Sequence, residues 1–190
     1  MTIQLILASA SPRRRELLDQ ISVNYQVCPV DIDETPLPNE APLAYVRRMA
    51  AEKSAAGMAR YGAAFPVLAA DTTVVLRDVI MGKPKDKEDA LAMLRLLSGN
   101  RHQVFTSVSL RGRQHGEAVS ITDVTFRRLT DAEIVAYWES GEPQDKAGAY
   151  AIQGRGGVFV ESIKGSFSGV VGLPLFETAQ LLAQQGITIF

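Results

Sequence analysis

Residues Phe65 to Ala70 form an almost wholly apolar run of strand length, and Asp71 follows directly. Such a run, lacking the alternation of a half-exposed strand, is expected of a strand buried on both faces. Strands of this kind belong to α/β proteins, whose sheets are covered by helices. An ionisable residue at the end of one matters, because open α/β sheets place their sites at the carboxyl ends of strands. Asp71 there can hold a divalent cation or take a proton from a water attacking phosphorus. It can equally open a turn or cap a helix. Thr72 and Thr73 then lead to a separate β-rich run, Val74 to Leu76.

The N-terminus is the second constraint. Ile3 to Ala8 reads as a first strand, followed by Ser9-Ala10-Ser11-Pro12-Arg13-Arg14-Arg15-Glu16-Leu17-Leu18. Ser11 suits an N-cap, its hydroxyl accepting from an orphan N–H of the first turn. Pro12 suits the first helical position. Leu17, Leu18 and Ile21 give the helix an apolar face. The three arginines in the first turn oppose the helix macrodipole. An anion held at the helix start would reconcile them, since free N–H groups and guanidinium forks both favour phosphate. The plain alternative is that they are solvated.

Further along, Tyr25 to Val30 reads as a second strand and Asp31 to Pro38 as an acidic, proline-marked loop. A long helix starts near Pro42, carries Leu43, Val46, Met49 and Ala50 at helical spacing, includes Glu52 and Lys53, and ends at Gly62. Val79 to Met81 and Gly82-Lys83-Pro84 lead into a helix from about Asp86 to Leu97. Its Ala90, Met93, Leu94 and Leu97 share a face, and Ser98-Gly99 closes it. Gln103 to Leu110 and Ala118 to Leu129 read as an antiparallel hairpin. Thr130-Asp131-Ala132-Glu133 is a capping box opening a helix with Ile134, Tyr137 and Trp138 on one face. Val158 to Ile163 is a further strand, and Leu175, Ala179 and Leu182 mark a last helix. Parallel and antiparallel signals together predict an α/β protein with a mixed sheet, one domain over residues 1–190 with two lobes around a cleft.

Net charge is −1, so no global field favours nucleic acid or a membrane surface, and any phosphate binding must be local. The basic residues are not interleaved with aromatics, and no nucleic-acid partner is expected. No apolar run approaches the ~20 residues of a membrane span. The run Ile3 to Ala10 has its arginines after it, the wrong order for a signal peptide. The single cysteine, Cys28, rules out an internal disulfide and a cysteine-built zinc site, and its apolar setting makes it core. A cytoplasmic protein is expected.

Other candidates for chemistry are few. Asp31, Asp33 and Glu34 place three carboxylates within four residues. Such hard oxygens suit Mg²⁺ or Mn²⁺, and Mg²⁺ commonly needs only one or two carboxylates beside substrate phosphate. An ordinary acidic loop would look the same. Lys53 and Lys83 are the remaining candidate cations, and both could simply be solvated. His102 and His115 lack metal-ligand spacing and read as surface or hydrogen-bonding residues. There is no Gly-x-x-x-x-Gly-Lys-Ser/Thr loop, and Gly154-Arg155-Gly156-Gly157 precedes a strand, so it is no dinucleotide fingerprint. No serine lies in a Gly-x-Ser-x-Gly elbow.

In order, these pieces resemble the Maf family of nucleoside triphosphate pyrophosphatases. The matching stretches are Leu7-Ala8-Ser9-x-Ser11-Pro12-Arg13-Arg14 with Glu16-Leu17-Leu18, Asp33-Glu34, Glu52-Lys53, Ala70-Asp71-Thr72, Gly82-Lys83-Pro84, Leu97-Ser98-Gly99 with His102-x-Val104, Asp145-Lys146-Ala147-Gly148-x-Tyr150, Ile152-Gln153-Gly154 and Val171-Gly172-Leu173-Pro174. They span residue 5 to about 185. The resemblance implies a strongly twisted mixed sheet flanked by helices, an elongated two-lobed shape with a central cleft, a divalent cation (Mg or Mn) and a homodimer. It implies hydrolysis of a nucleoside triphosphate between its α and β phosphates. By position, Asp71 resembles the general base and a metal ligand, and Glu34 a metal ligand. Ser9, Arg13, Arg14, Lys53 and Lys83 resemble phosphate-handling residues. Arg13, Thr72 and Gln153 match the subgroup acting on dTTP and UTP, where they mark specificity. The subgroup associated with 7-methyl-GTP carries a bulky residue in place of that arginine and lacks the Thr and Gln. Gln153 has both a donor and an acceptor, so it could read the O4/N3 edge of a pyrimidine. Two other readings stay open: a nucleotide-binding regulator of cell division with little hydrolysis, and the same reaction on another base.

Overall fold

The computed structural model describes residues 3–62 and 64–190. A seven-stranded mixed sheet runs β2 (Tyr25–Val27), β1 (Leu5–Leu7), β3 (Val67–Leu76), β5 (Arg101–Arg111), β6 (His115–Phe126), β7 (Val160–Lys164), with β4 (Val79–Met81) also paired to β3. β1 pairs in parallel with β2 and β3, and every other pair is antiparallel. Among the described residues, six α-helices flank the sheet: α1 (Pro12–Gln20), α2 (Pro42–Tyr61), α3 (Lys87–Leu97), α4 (Asp131–Glu139), α5 (Phe167–Val171) and α6 (Leu175–Gln184).

The helices begin and end where local chemistry directs them. The Asp86 side chain accepts from the Asp89 N–H at the start of α3, and the expected capping box of Thr130 and Glu133 opens α4. Gly62 follows α2 with φ +76°, and Gly99 lies just beyond α3 with φ +67°. α2 lies close on one sheet face: a Cβ on Gly57 would come within 2.7 Å of Val67 Cγ1. Beneath it lies a small core of Ile6, Ala8, Cys28, Val67 and Ala69, so Cys28 is core as expected. The larger core occupies the opposite face, around Leu68, Val74, Leu94, Phe126 and Leu182.

Several details differ from expectation; among them, β6 stops at Phe126 and not Leu129, and Val158 and Phe159 end a 3₁₀ turn ahead of β7. β3 is one unbroken ten-residue strand, so Asp71 sits at its centre and not at its carboxyl end. Threonines are β-branched and suit a pleated ladder, so Thr72 and Thr73 continue the strand. Ser11 occupies the N-cap of α1, but its hydroxyl makes no cap bond, and its N–H donates instead to Ser9 Oγ at 3.2 Å. The second strand stops at Val27, three residues short of Val30.

The unbroken β3 has a consequence for the sheet. β1 covers its edge only at Val67 and Leu68, and β4 only from Val74. Between them, among the described residues, the edge at Ala69 to Thr73 has no partner strand. The Leu68 carbonyl accepts from Ala8 N–H. Backbone groups alternate sides along a strand, so those of Ala70 and Thr72 also point into this gap.

His102 is buried on β5, with Nε2 2.8 Å from the Tyr150 hydroxyl and its ring edge-on to Phe126 and Tyr150. Burial pushes its pKa down from 6.5 to about 4. The unfolded chain therefore binds this proton first as pH falls. The contribution of His102 to stability should be intact above pH 7 and lost as pH falls from about 6.5 to about 4, about 3 kcal/mol in all. Urea unfolding across that range checks this: His102→Gln should flatten the slope, whatever it does to stability at neutral pH.

Candidate active site

The gap in the sheet opens into a cleft of about 890 Å³, and every site residue that the family resemblance implies lines it: Ser9, Arg13, Arg14, Glu34, Lys53, Asp71, Thr72, Lys83 and Gln153. Alternation along β3 sends Asp71 and Thr72 to opposite faces of the sheet. The missing edge partner lets one cleft reach both.

On the α2 side, Lys53 Nζ donates to Asp71 Oδ1 at 2.7 Å and lies 2.6 Å from Glu34 Oε1. Two carboxylates from distant segments thus converge on one ammonium. Burial works against the Glu34 carboxylate, yet the hydrogen bond and charge of Lys53, with Lys83 and Arg14 beyond, hold its pKa below the ordinary value. Glu34 stands in irregular chain, and α2 holds that chain in place. The Tyr45 hydroxyl donates to the Glu34 carbonyl at 2.9 Å. Arg48 grips Glu40 through two bonds of 2.6 and 2.7 Å and donates to the Thr35 carbonyl. Asp33 lies outside the cluster and accepts from the Thr35 N–H.

On the other face, Arg14 donates from Nε to the Gly172 carbonyl at 2.8 Å and from its two terminal nitrogens to Ser9 Oγ (3.0 Å) and Thr72 Oγ1 (3.3 Å). Burial lowers its pKa, partly countered by Asp71. Thr72 Oγ1 also lies 3.0 Å from the Thr106 hydroxyl, which donates to the Gly169 carbonyl. The three arginines therefore separate. Arg14 turns inward and ties together the Ser9 turn, β3 and the end of α5. Arg13 lies 3.6 Å from Asp145 at the cleft wall. Arg15 does not line the cleft. Lys83 is exposed in its turn, which is fixed by the Gly148 N–H donating to the Gly82 carbonyl.

Several lining residues carried no individual role in the sequence reading: Tyr45, Lys85, Asp145 and Lys146. Asp145 and Lys146, which pair with each other, belonged to a recognised stretch. Tyr45 and Lys85 had no signal beyond their own chemistry.

Fold and site together define a mixed α/β protein whose cations and paired carboxylates meet in one cleft beside an interrupted sheet edge. The sequence model of the family described as "Maf-like protein" matches residues 4–185, and the chain belongs to that family. A dTTP/UTP pyrophosphatase of Methylococcus capsulatus is 54% identical over 186 residues, covering 97% of this chain and 92% of that protein. One from Pseudoalteromonas atlantica is 53% identical over 190 residues, covering 96% and 97%. A solved dITP/XTP pyrophosphatase from Mycobacterium abscessus aligns with a TM-score of 0.43 at 12% identity, over 67% of this chain and 76% of that one. No helix among the described residues is long and apolar enough to cross a membrane.

Proposed function

We propose that this chain hydrolyses dTTP and UTP to the nucleoside monophosphate and pyrophosphate. The observation that carries this reading is the convergence of Glu34 and Asp71 on Lys53 in the same cleft as Arg13, Arg14 and Lys83. The named activity of its relatives supports the choice of nucleotide.

Lys53, Lys83 and Arg13, which line the cleft, would neutralise a phosphate chain, and Arg14 bonds to the Ser9 turn against which it would lie. Charge that builds on phosphate oxygens during transfer is met by these fixed cations. Asp71 gives Oδ1 to Lys53. Its second oxygen would take the proton of the attacking water. The donor set also fits a divalent cation. Two hard carboxylate oxygens already converge on one positive point. Glu34 and Asp71 would hold Mg²⁺ or Mn²⁺, with substrate phosphate and water completing the shell. When bound, the cation supplies further neutralisation of phosphate charge. Gln153 is exposed at the cleft and would read the base edge.

Pyrophosphate release from a panel of triphosphates with Mg²⁺ or Mn²⁺ tests the reading. dTTP and UTP should rank first by kcat/KM, and Gln153→Ala should reorder the ranking. Tight nucleotide binding with no turnover on any base would favour a regulator instead.

A further inference from the structure

Gln153 projects from a turn that belongs to no strand or α-helix. What holds the turn is a carboxylate outside the cleft lining. Glu142 Oε1 accepts from the Tyr137 hydroxyl at 2.7 Å and from the Gly156 N–H at 3.1 Å. Its Oε2 accepts from the Arg155 N–H at 2.9 Å. The Tyr137 hydroxyl in turn accepts from the Ala151 N–H at 3.0 Å. The turn is thus anchored two residues before Gln153 and again two and three residues after it, on one Tyr–Glu pair. The glycines on its far side are there because the pair is so close. A Cβ on Gly154 would run into the Glu142 carboxylate, and one on Gly156 would lie 2.6 Å from the Tyr137 hydroxyl.

Glu142 opens a 3₁₀ turn, Glu142–Asp145, whose last residue faces Arg13. One four-residue segment therefore touches the supports of two residues that match the specificity positions, Arg13 and Gln153.

We propose that Glu142 is a positioning residue for base discrimination, acting through the Ala151–Gly156 turn on Gln153. The proposal rests on the reading of Gln153 given above. Burial opposes the Glu142 carboxylate, but bonds from Tyr137, Arg155 and Gly156 hold its pKa below the ordinary value, so it remains ionised at neutral pH. An ionised carboxylate is acceptor-only on both oxygens, which this cradle of three donors requires. Glutamine keeps the shape but turns one acceptor into a donor facing an N–H, leaving that pair unmatched.

The test is kcat/KM for dTTP, UTP, CTP and GTP with Mg²⁺ in the wild type, Glu142→Gln, Gln153→Ala and the double variant, with melting temperatures alongside. Glu142→Gln should lower the UTP-to-CTP ratio on the order of 10-fold, towards the Gln153→Ala value. The double variant should match Gln153→Ala alone, because the second change acts through the first. Equal losses on all four nucleotides after Glu142→Gln, or additive losses of selectivity in the double variant, would overturn the proposal. If Gln153→Ala leaves the ranking unchanged, the reading of Gln153 fails first and the role of Glu142 with it. Tyr137→Phe guards against a misfolded Glu142 variant. It removes the donor to Glu142 and the acceptor for Ala151, and should shift the same ratio the same way. An unmoved ratio there would also overturn the proposal.

Discussion

Asp71→Asn is expected to lower kcat on dTTP and UTP by about 10³-fold, while nucleotide affinity changes by only a few-fold. Asparagine keeps the shape of the side chain and an oxygen that can still accept from Lys53, now 2.7 Å away. It loses the capacity to take a proton and one unit of charge. The cleft cations Arg13 and Lys83, proposed to meet phosphate, are untouched, so binding should survive. Single-turnover pyrophosphate release gives the first quantity, and equilibrium binding of dTTP to the inactive variant gives the second. Turnover within tenfold of wild type would remove Asp71 as the base. Equal loss of binding and turnover would make it a binding residue only.

Lys53→Met should lower kcat/KM on the order of 10²-fold and, in the opposite direction, tighten binding of Mn²⁺ to the nucleotide-free protein. The Lys53 ammonium stands at the point where Glu34 and Asp71 converge. Methionine retains most of the apolar stem but leaves two carboxylates facing each other with nothing positive between them. Like charges so placed are unfavourable, and a divalent cation relieves them. The variant should therefore melt lower than wild type without metal and recover on addition of Mn²⁺. Calorimetric Mn²⁺ titration and thermal melting with and without the ion report this independently of activity. Unchanged or weaker Mn²⁺ binding would sink the idea that these two carboxylates form the metal site.

Much of the architecture was legible because it is written in short-range chemistry. The capping box at Thr130, Gly62, Gly99 and the 3.6-residue spacing in α3 act within one or two turns. Those cleft residues that were legible, from Ser9 to Gln153, each lie in a recognisable motif, whereas Tyr45 and Lys85 do not. What escaped depends on distance in the chain or on competition between local rules. Asp71 reads as a strand end because a carboxylate is unexpected inside a buried strand. Lys53, eighteen residues earlier, makes it tolerable there. α5 is only five residues long and has a glycine at its centre, too short to show a helical period. The three arginines are chemically identical, and successive positions about 100° apart on α1 decide which turns inward. Glu142 is one glutamate before a proline, and its three partners lie five to fourteen residues away.

The uninterrupted passage of β3 across the sheet gap ties two properties of the protein to one piece of backbone. Asp71 faces Lys53 and Glu34, while Thr72, the next residue, faces Arg14. A one-residue slip of this strand would exchange the two faces. Inserting or deleting a residue between Val67 and Leu76 would therefore not graft a new preference onto an intact reaction but would lose both together. If positions 13, 72 and 153 set substrate choice as proposed, altered choice would come from replacing those side chains, with the length of β3 kept as it is. A designer seeking a new nucleotide preference inherits the same restriction.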